Sequence, residues 1–183
     1  MKRITLVACL ALVTALAVPA SANSHMDATA AAHMKQCAGT WDATIHMTMG
    51  PETSKAPETS KGTETVRIIG DGQWLVSDFE GNMAGAPFTG HGVTGFDPTK
   101  KKYVGVWVDS MSPHVMHMEG TMDAAGKKLT MTGEAPDHQT GKMIKHTMTE
   151  TYVDADTREF VMAMPGPDGK VMDVMKIVYK RRK

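Results

Sequence analysis

The stretch Pro87–Met111, PFTGHGVTGFDPTKKKYVGVWVDSM, decides the fold. It reads as two β-strands joined by the turn Asp97-Pro98-Thr99-Lys100. Proline at the second turn position presets the φ of a type I turn, and the aspartate before it can accept hydrogen bonds from the backbone ahead. The rest of the chain repeats this plan, with alternating segments broken by Asp/Gly turns and no helical period long enough to separate them.

Thr40–Met49 sets Trp41, Ala43, Ile45, Met47 and Met49 against Asp42, Thr44, His46 and Thr48, the period-two signature of a half-buried strand. Further strands are expected at Glu64–Ile69, Gln73–Gly81, Phe88–Phe96, Lys102–Met111, His114–Met122, Lys127–Ala135, Met143–Val153, Thr157–Met164 and Val171–Lys180. Turn chemistry separates them, as in Gly70-Asp71-Gly72, Asp123-Ala124-Ala125-Gly126 and Pro165-Gly166-Pro167-Asp168-Gly169. Many strands with no helices to cover them close into a barrel, which removes their exposed edges. The fold class is therefore all-β: one antiparallel up-and-down barrel of about eight to ten strands over residues 39–183.

Residues 23–38 are Ala-rich and predict a short N-terminal helix, capped by Asp27 and stopped at Gly39. Pro51–Gly62, PETSKAPETSKG, is a duplicated hexapeptide without a large apolar residue, so 50–62 is expected to be a mobile loop. Strand Lys102–Met111 is apolar on both faces, with Val104, Val106 and Val108 on one and Tyr103, Gly105 and Trp107 on the other. One face must look into the barrel. The N-terminal helix is the candidate cover for the other.

Residues 1–22 read as a secretory signal peptide: Lys2 and Arg3 precede the apolar run Ile4–Val18, and Ala20-Ser21-Ala22 is a small-residue cleavage site. The run is too short to span a membrane, so no span is expected after cleavage and the protein is placed in the periplasm or outside the cell. Losing Lys2 and Arg3 takes the formal charge from 0 to −2, a balance that gives no support to a nucleic-acid partner. Cys9 leaves with the leader and Cys37 stays alone, so packing rather than a disulfide must hold the fold. The basic end, Lys180-Arg181-Arg182-Lys183, reads as a solvated tail.

Several chemistries fail on context. Gly90-His91-Gly92-Val93-Thr94-Gly95 matches a dinucleotide fingerprint, but a strand and a proline turn follow it where a helix N-terminus is required. The glycines relieve crowding in a bent barrel strand instead. Ser110 and Ser112 lack the flanking glycines of a nucleophile elbow. No catalytic residue and no cofactor is assigned. Seventeen methionines stand against three Trp, three Tyr and four Phe, several at strand alternation, as in Met47/Met49, Met116/Met118 and Met162/Met164. They read first as core filling by a flexible thioether. Thioethers also suit Cu(I), and His114, Met116 and Met118 share one face of a strand, which makes them the alternative metal set.

Gly39-Thr40-Trp41, Asp78-Phe79-Glu80-Gly81, Pro87-Phe88-Thr89-Gly90, Gly92 to Asp97, Lys101-Lys102-Tyr103-Val104, Trp107 to Met111 and Tyr179-Lys180-Arg181 resemble a bacterial family called domain of unknown function 1579. The resemblance spans Gly39–Arg182 and implies a lipocalin-like (calycin-like) barrel and a bacterial source, with no established activity. Haem-binding nitrobindin-type barrels also begin with a Gly-Thr-Trp-like strand, but no proximal-histidine motif accompanies it here. Fold analogy and the methionine-rich interior together make a small apolar or amphipathic ligand the expected partner. Strand parity nominates Trp41, Met47, Phe79, Phe88, Trp107, Met116, Met118 and Met131 as wall residues. The alternatives are a periplasmic copper-binding protein and an enzyme with a His or carboxylate inside the barrel.

Overall fold

The computed structural model describes residues 27–48, 58–83, 85–137, 140–166 and 168–183. The expected leader and residues 49–57 lie outside the described residues. Helix α1 (Ala28–Cys37) precedes strands β1 (Gly39–Met47), β2 (Glu58–Ile69), β3 (Trp74–Met83), β4 (Ala86–Asp97) and β5 (Lys102–Asp109). Strands β6 (Ser112–Met122), β7 (Lys128–Pro136), β8 (Met143–Asp154), β9 (Thr157–Pro165) and β10 (Val171–Arg181) complete the chain. Each strand pairs antiparallel with its neighbour in sequence, and β1 pairs with β10 from Trp41 opposite Arg181 to Met47 opposite Met175, so the ring is closed. The β4–β5 hairpin turns as its sequence dictates: Asp97 Oδ1 accepts from Thr99 N at 2.8 Å and Lys100 N at 3.1 Å.

The duplicated segment differs from expectation. Glu58–Gly62, five residues of the second copy of the duplicated hexapeptide, are strand and not loop, laid against Met47–Ala43 of β1. Composition alone cannot order this segment, but β1 supplies its main-chain partners. On the outer face Lys61 Nζ donates to Thr44 Oγ1 at 2.6 Å, and Thr59 Oγ1 lies 3.2 Å from His46 Nδ1.

Directly opposed residues on antiparallel strands share a face, so the register fixes what looks inward. Gly92 opposes Trp107, which opposes Met116, and Phe96 opposes Tyr103. The interior face of β5 is therefore Tyr103, Gly105 and Trp107. The Trp107 ring lies over Gly90 and Gly92, where added Cβ atoms would run into it. The close approach of β6 to β7 is tighter still, since a Cβ on Gly120 would overlap the Thr130 carbonyl and sit 2.5 Å from Met131 Cα.

Helix α1 stoppers one end of this barrel. Asp27 caps it, accepting from Thr29 N at 2.7 Å. Ten residues make a rod about 15 Å long, enough to cross the barrel's end, and its buried Ala30, His33, Met34 and Cys37 face the interior. This is not the expected cover for Val104, Val106 and Val108, which stay on the outside with Val108 38 % exposed. The C-terminal carbonyls of the helix are held by the chain's other end: Arg181 donates to Gln36 O at 2.6 Å and to Ala38 O at 2.7 Å while stacking on Trp41. Of the basic tail read as solvated, Arg181 is thus a clamp, and Arg182 pairs with Asp42.

Beneath the helix runs a buried polar chain. His33 Nε2 is 2.7 Å from the Tyr152 hydroxyl, which also bonds the Glu150 carboxylate. Arg158 bridges Glu150 to Glu64 and lies over the rings of Tyr179 and Trp41. One guanidinium thus serves two buried carboxylates. Burial opposes ionisation at both, yet Arg158 holds Glu150 below its ordinary value, while at Glu64 burial wins and raises it. Burial, opposed by Glu150 and assisted by Arg158, holds the His33 imidazole below its ordinary value.

Two outcomes follow for stability. Gly120→Ala should destabilise more than Gly90→Ala, because backbone atoms cannot yield where the Trp107 ring can swing; urea unfolding should place the first at about 1–3 kcal/mol or above. His33 is neutral when docked, so its contribution is complete above the unfolded value of about 6.5 and is lost as pH falls below it. Stability should therefore fall between pH 7 and pH 5 by up to about 1.4 kcal/mol per pH unit, read as a lower thermal midpoint, and fall less in His33→Gln. Equal drops in both proteins would exclude this role.

Candidate functional site

The end remote from α1 is built differently. At the stoppered end Trp41, Tyr103, Tyr152 and Tyr179 are 1–6 % exposed, while Phe96 and Met122 are partly buried. Toward the far end Met47, Met83, Trp107, Met116, Met118, Met162 and Met175 also face the core but are only partly buried. More of the inward side chains are partly exposed at this end, not covered by α1, than at the other; we call it the mouth. Halfway up, the register sets five methionines side by side across five strands: Met47 opposes Met175, Met175 opposes Met162, Met162 opposes Met148, and Met148 opposes Met131. The next row contains Met172 opposite Met164 and, across β6 and β7, Met118 opposite Gly133.

Few polar groups interrupt this lining. Trp107 Nε1 donates to Asp109 Oδ2 at 3.0 Å, and the other oxygen of Asp109 accepts from the β5–β6 turn, so the carboxylate is fully engaged in holding the indole and the turn. His114 Nε2 lies 3.2 Å from the Glu134 carbonyl, to which it can only donate. His146, buried beside the methionines, lies with Nδ1 3.1 Å from Ile144 O. Such a surface can enclose an apolar body by dispersion and rearrangement of flexible thioethers. Among the described residues no three His, Cys, Asp or Glu side chains are placed to hold a metal ion.

Seven of the eight residues nominated by parity fall in two groups. Met47, Trp107, Met116 and Met118 line the mouth. Phe79 and Phe88 pack edge to face with centroids 5.8 Å apart and are buried, as is Met131 in the methionine row. Trp41 lies apart from them, at the stoppered end between two guanidinium groups. The alternative set, His114, Met116 and Met118, does share the inner face of β6. Both methionines lean over Gly133, their Cγ atoms 3.0 and 3.2 Å from where its Cβ would be.

Sequence reading passed over the groups around Cys37, whose Sγ lies 3.3 Å from His33 Nε2 and 3.1 Å from the Tyr152 hydroxyl. The i, i+4 spacing of His33 and Cys37 on a helix was the available signal; Tyr152 is distant in sequence and was not. Burial pushes the Cys37 thiol up to about 12, so it is no nucleophile at neutral pH. Outside the barrel are two shallow grooves. One, of about 540 Å³, is bordered by Asp42, Thr44, Lys61, Thr63 and Glu80. The other, of about 350 Å³, has Val93, Val104 and Val106 beside Trp74 and Glu119.

Comparison with known proteins agrees with this architecture. No curated protein matches the sequence. Among solved structures, Rv2717c from M. tuberculosis aligns with a TM-score of 0.60 at 13 % identity, covering 84 % of this chain and 98 % of that one. The S-type phycobiliprotein lyase CPES from Guillardia theta aligns with a TM-score of 0.54 at 13 % identity, covering 82 % and 90 %. At that identity the likeness establishes the fold alone. The family model described as protein of unknown function (DUF1579) matches residues 28–181, from the first residue of α1 to the last of β10, and the chain belongs to that family.

Proposed function

We propose that this protein is an exported carrier that holds a small apolar or amphipathic molecule in the barrel, taken in through the mouth opposite α1. One observation carries the reading: seven inward residues, six methionines and Trp107, are partly exposed at that end, while α1 covers the opposite one. A lumen lined by thioethers gains by excluding water and adapts its shape to the guest at little cost in strain. Ligand sites of this kind are concave, mostly apolar and carry few polar groups, and here the polar groups at the mouth are Asp109, His114 and His146. The likeness to a phycobiliprotein lyase adds that a barrel of this shape occurs in a lyase, and it brings no lyase chemistry to this chain. Export is proposed from the leader-like residues 1–22.

The neutral, fluorescent probe N-phenyl-1-naphthylamine should bind saturably, one per chain. Met118→Lys, which places a charge in the lining, should weaken it by roughly tenfold, about 1.4 kcal/mol. Val106→Lys, on the outer groove, should leave the affinity unchanged; the reverse pattern, or no saturation, would remove the lumen as the site. In a Gram-negative host, N-terminal sequencing of the periplasmic fraction should begin at Asn23, and recovery of an intact leader in the cytoplasm would end the export part of the proposal.

A further inference from the structure

We propose that the thioether row Met47, Met175, Met162 and Met148 is a binding site for one soft monovalent metal ion of the Cu(I) type. The first ground is register. These four residues, continued by Met131, stand directly opposite one another on consecutive strands and all face the lumen. Cβ atoms of directly opposed residues lie about 4.5–5.5 Å apart, close enough for flexible thioether arms on three neighbouring strands to converge on one ion. A core filled only for volume has no need to repeat a single sulfur-bearing residue across five strands, because Leu, Ile and Phe fill space with better-defined rotamers.

The second ground is the bulge in β10. From Val171 to Asp173 the strand pairs with Pro165 to Ala163; the register then slips, and Met175 opposes Met162. Without the slip Val174 would occupy that place and Met175 would turn outward. With it, Met172 and Met175, three residues apart, both face inward, opposite Met164 and Met162. Bulges of this kind re-aim side chains beside functional sites. The third ground is access: Met47, Met162 and Met175 are half-buried at the mouth side, whereas Met148 and Met131 are 5 % and 7 % exposed and form the floor.

The donor chemistry selects the ion. Neutral thioethers are soft ligands that favour Cu(I), and the absence among the described residues of a His, Cys, Asp or Glu cluster leaves harder or borderline divalent ions without suitable donors here. This set differs from His114, Met116 and Met118, in which His114 already donates one ring nitrogen to Glu134 O. Binding is simple coordination, with no change of oxidation state.

Silver(I), a redox-stable stand-in for Cu(I), is the probe. Protein labelled with ¹³C at the methionine methyls should show one equivalent of Ag(I) shifting the Met47, Met162 and Met175 resonances, with the exposed Met111 and Met143 unmoved. The double variant Met162→Leu/Met175→Leu conserves volume and should keep the fold, yet lose roughly tenfold or more in Ag(I) affinity, about 1.4 kcal/mol. Shifts confined to methionines outside the row, or equal affinity in the double variant, would overturn the site. N-phenyl-1-naphthylamine uptake is measured on the unaltered protein and Ag(I) binding by the methionine resonances, so failure of the carrier reading and failure of the metal site give different results.

Discussion

The two carboxylates that share Arg158 are the constraint around which this barrel is arranged. Glu64 comes from β2, Glu150 from β8 and the guanidinium from β9, so one buried charge group ties together strands on opposite sides of the ring. Desolvating such a group is costly, and a well-packed apolar replacement is often no less stable. Its value lies in geometry. Arg158 stacks on Trp41 and Tyr179, its partner Glu150 bonds Tyr152, and Tyr152 meets His33, so each member fixes where the next must sit. The sealed end is thereby locked in one arrangement. The mouth, filled with unbranched thioethers, is left adaptable.

That division explains how far the sequence could be read. Period-two alternation in Thr40–Met49 and the Asp97-Pro98 turn are local signals, and β1 and the β4–β5 hairpin form where they indicate. Parity nominates Trp107 but cannot tell which face of Lys102–Met111 points inward; the register shows it, with Gly90 and Gly92 leaving room for the ring. The second copy of the duplicated hexapeptide was misread as loop because its order comes from β1, a partner its own composition does not reveal. The run of basic residues at the end concealed Arg181, whose role depends on carbonyls about 145 positions away.

The candidate site was legible only in part, and for a related reason. Parity along a strand places Met47, Met116 and Met118 on one face, but it cannot show which residues on neighbouring strands stand opposite. The row Met47, Met175, Met162, Met148 and Met131 exists only once five strands are in register. Its member on β10 is out of phase with simple alternation because of the bulge. The chain Glu64, Arg158, Glu150, Tyr152 and His33 was invisible for the same cause, since each of its residues alone looks like an ordinary strand or helix position.

The clamp between α1 and the end of β10 has a consequence for the order in which the molecule is made. The helix emerges from the ribosome before any strand, but the tyrosine that meets His33 follows it by 119 residues and the arginine that grips Gln36 by 145. Until the last strand has been synthesised the ring cannot close on β1, and the helix lacks the arginine that grips its last carbonyls. The seating of the first element is thus completed by residues of the last one.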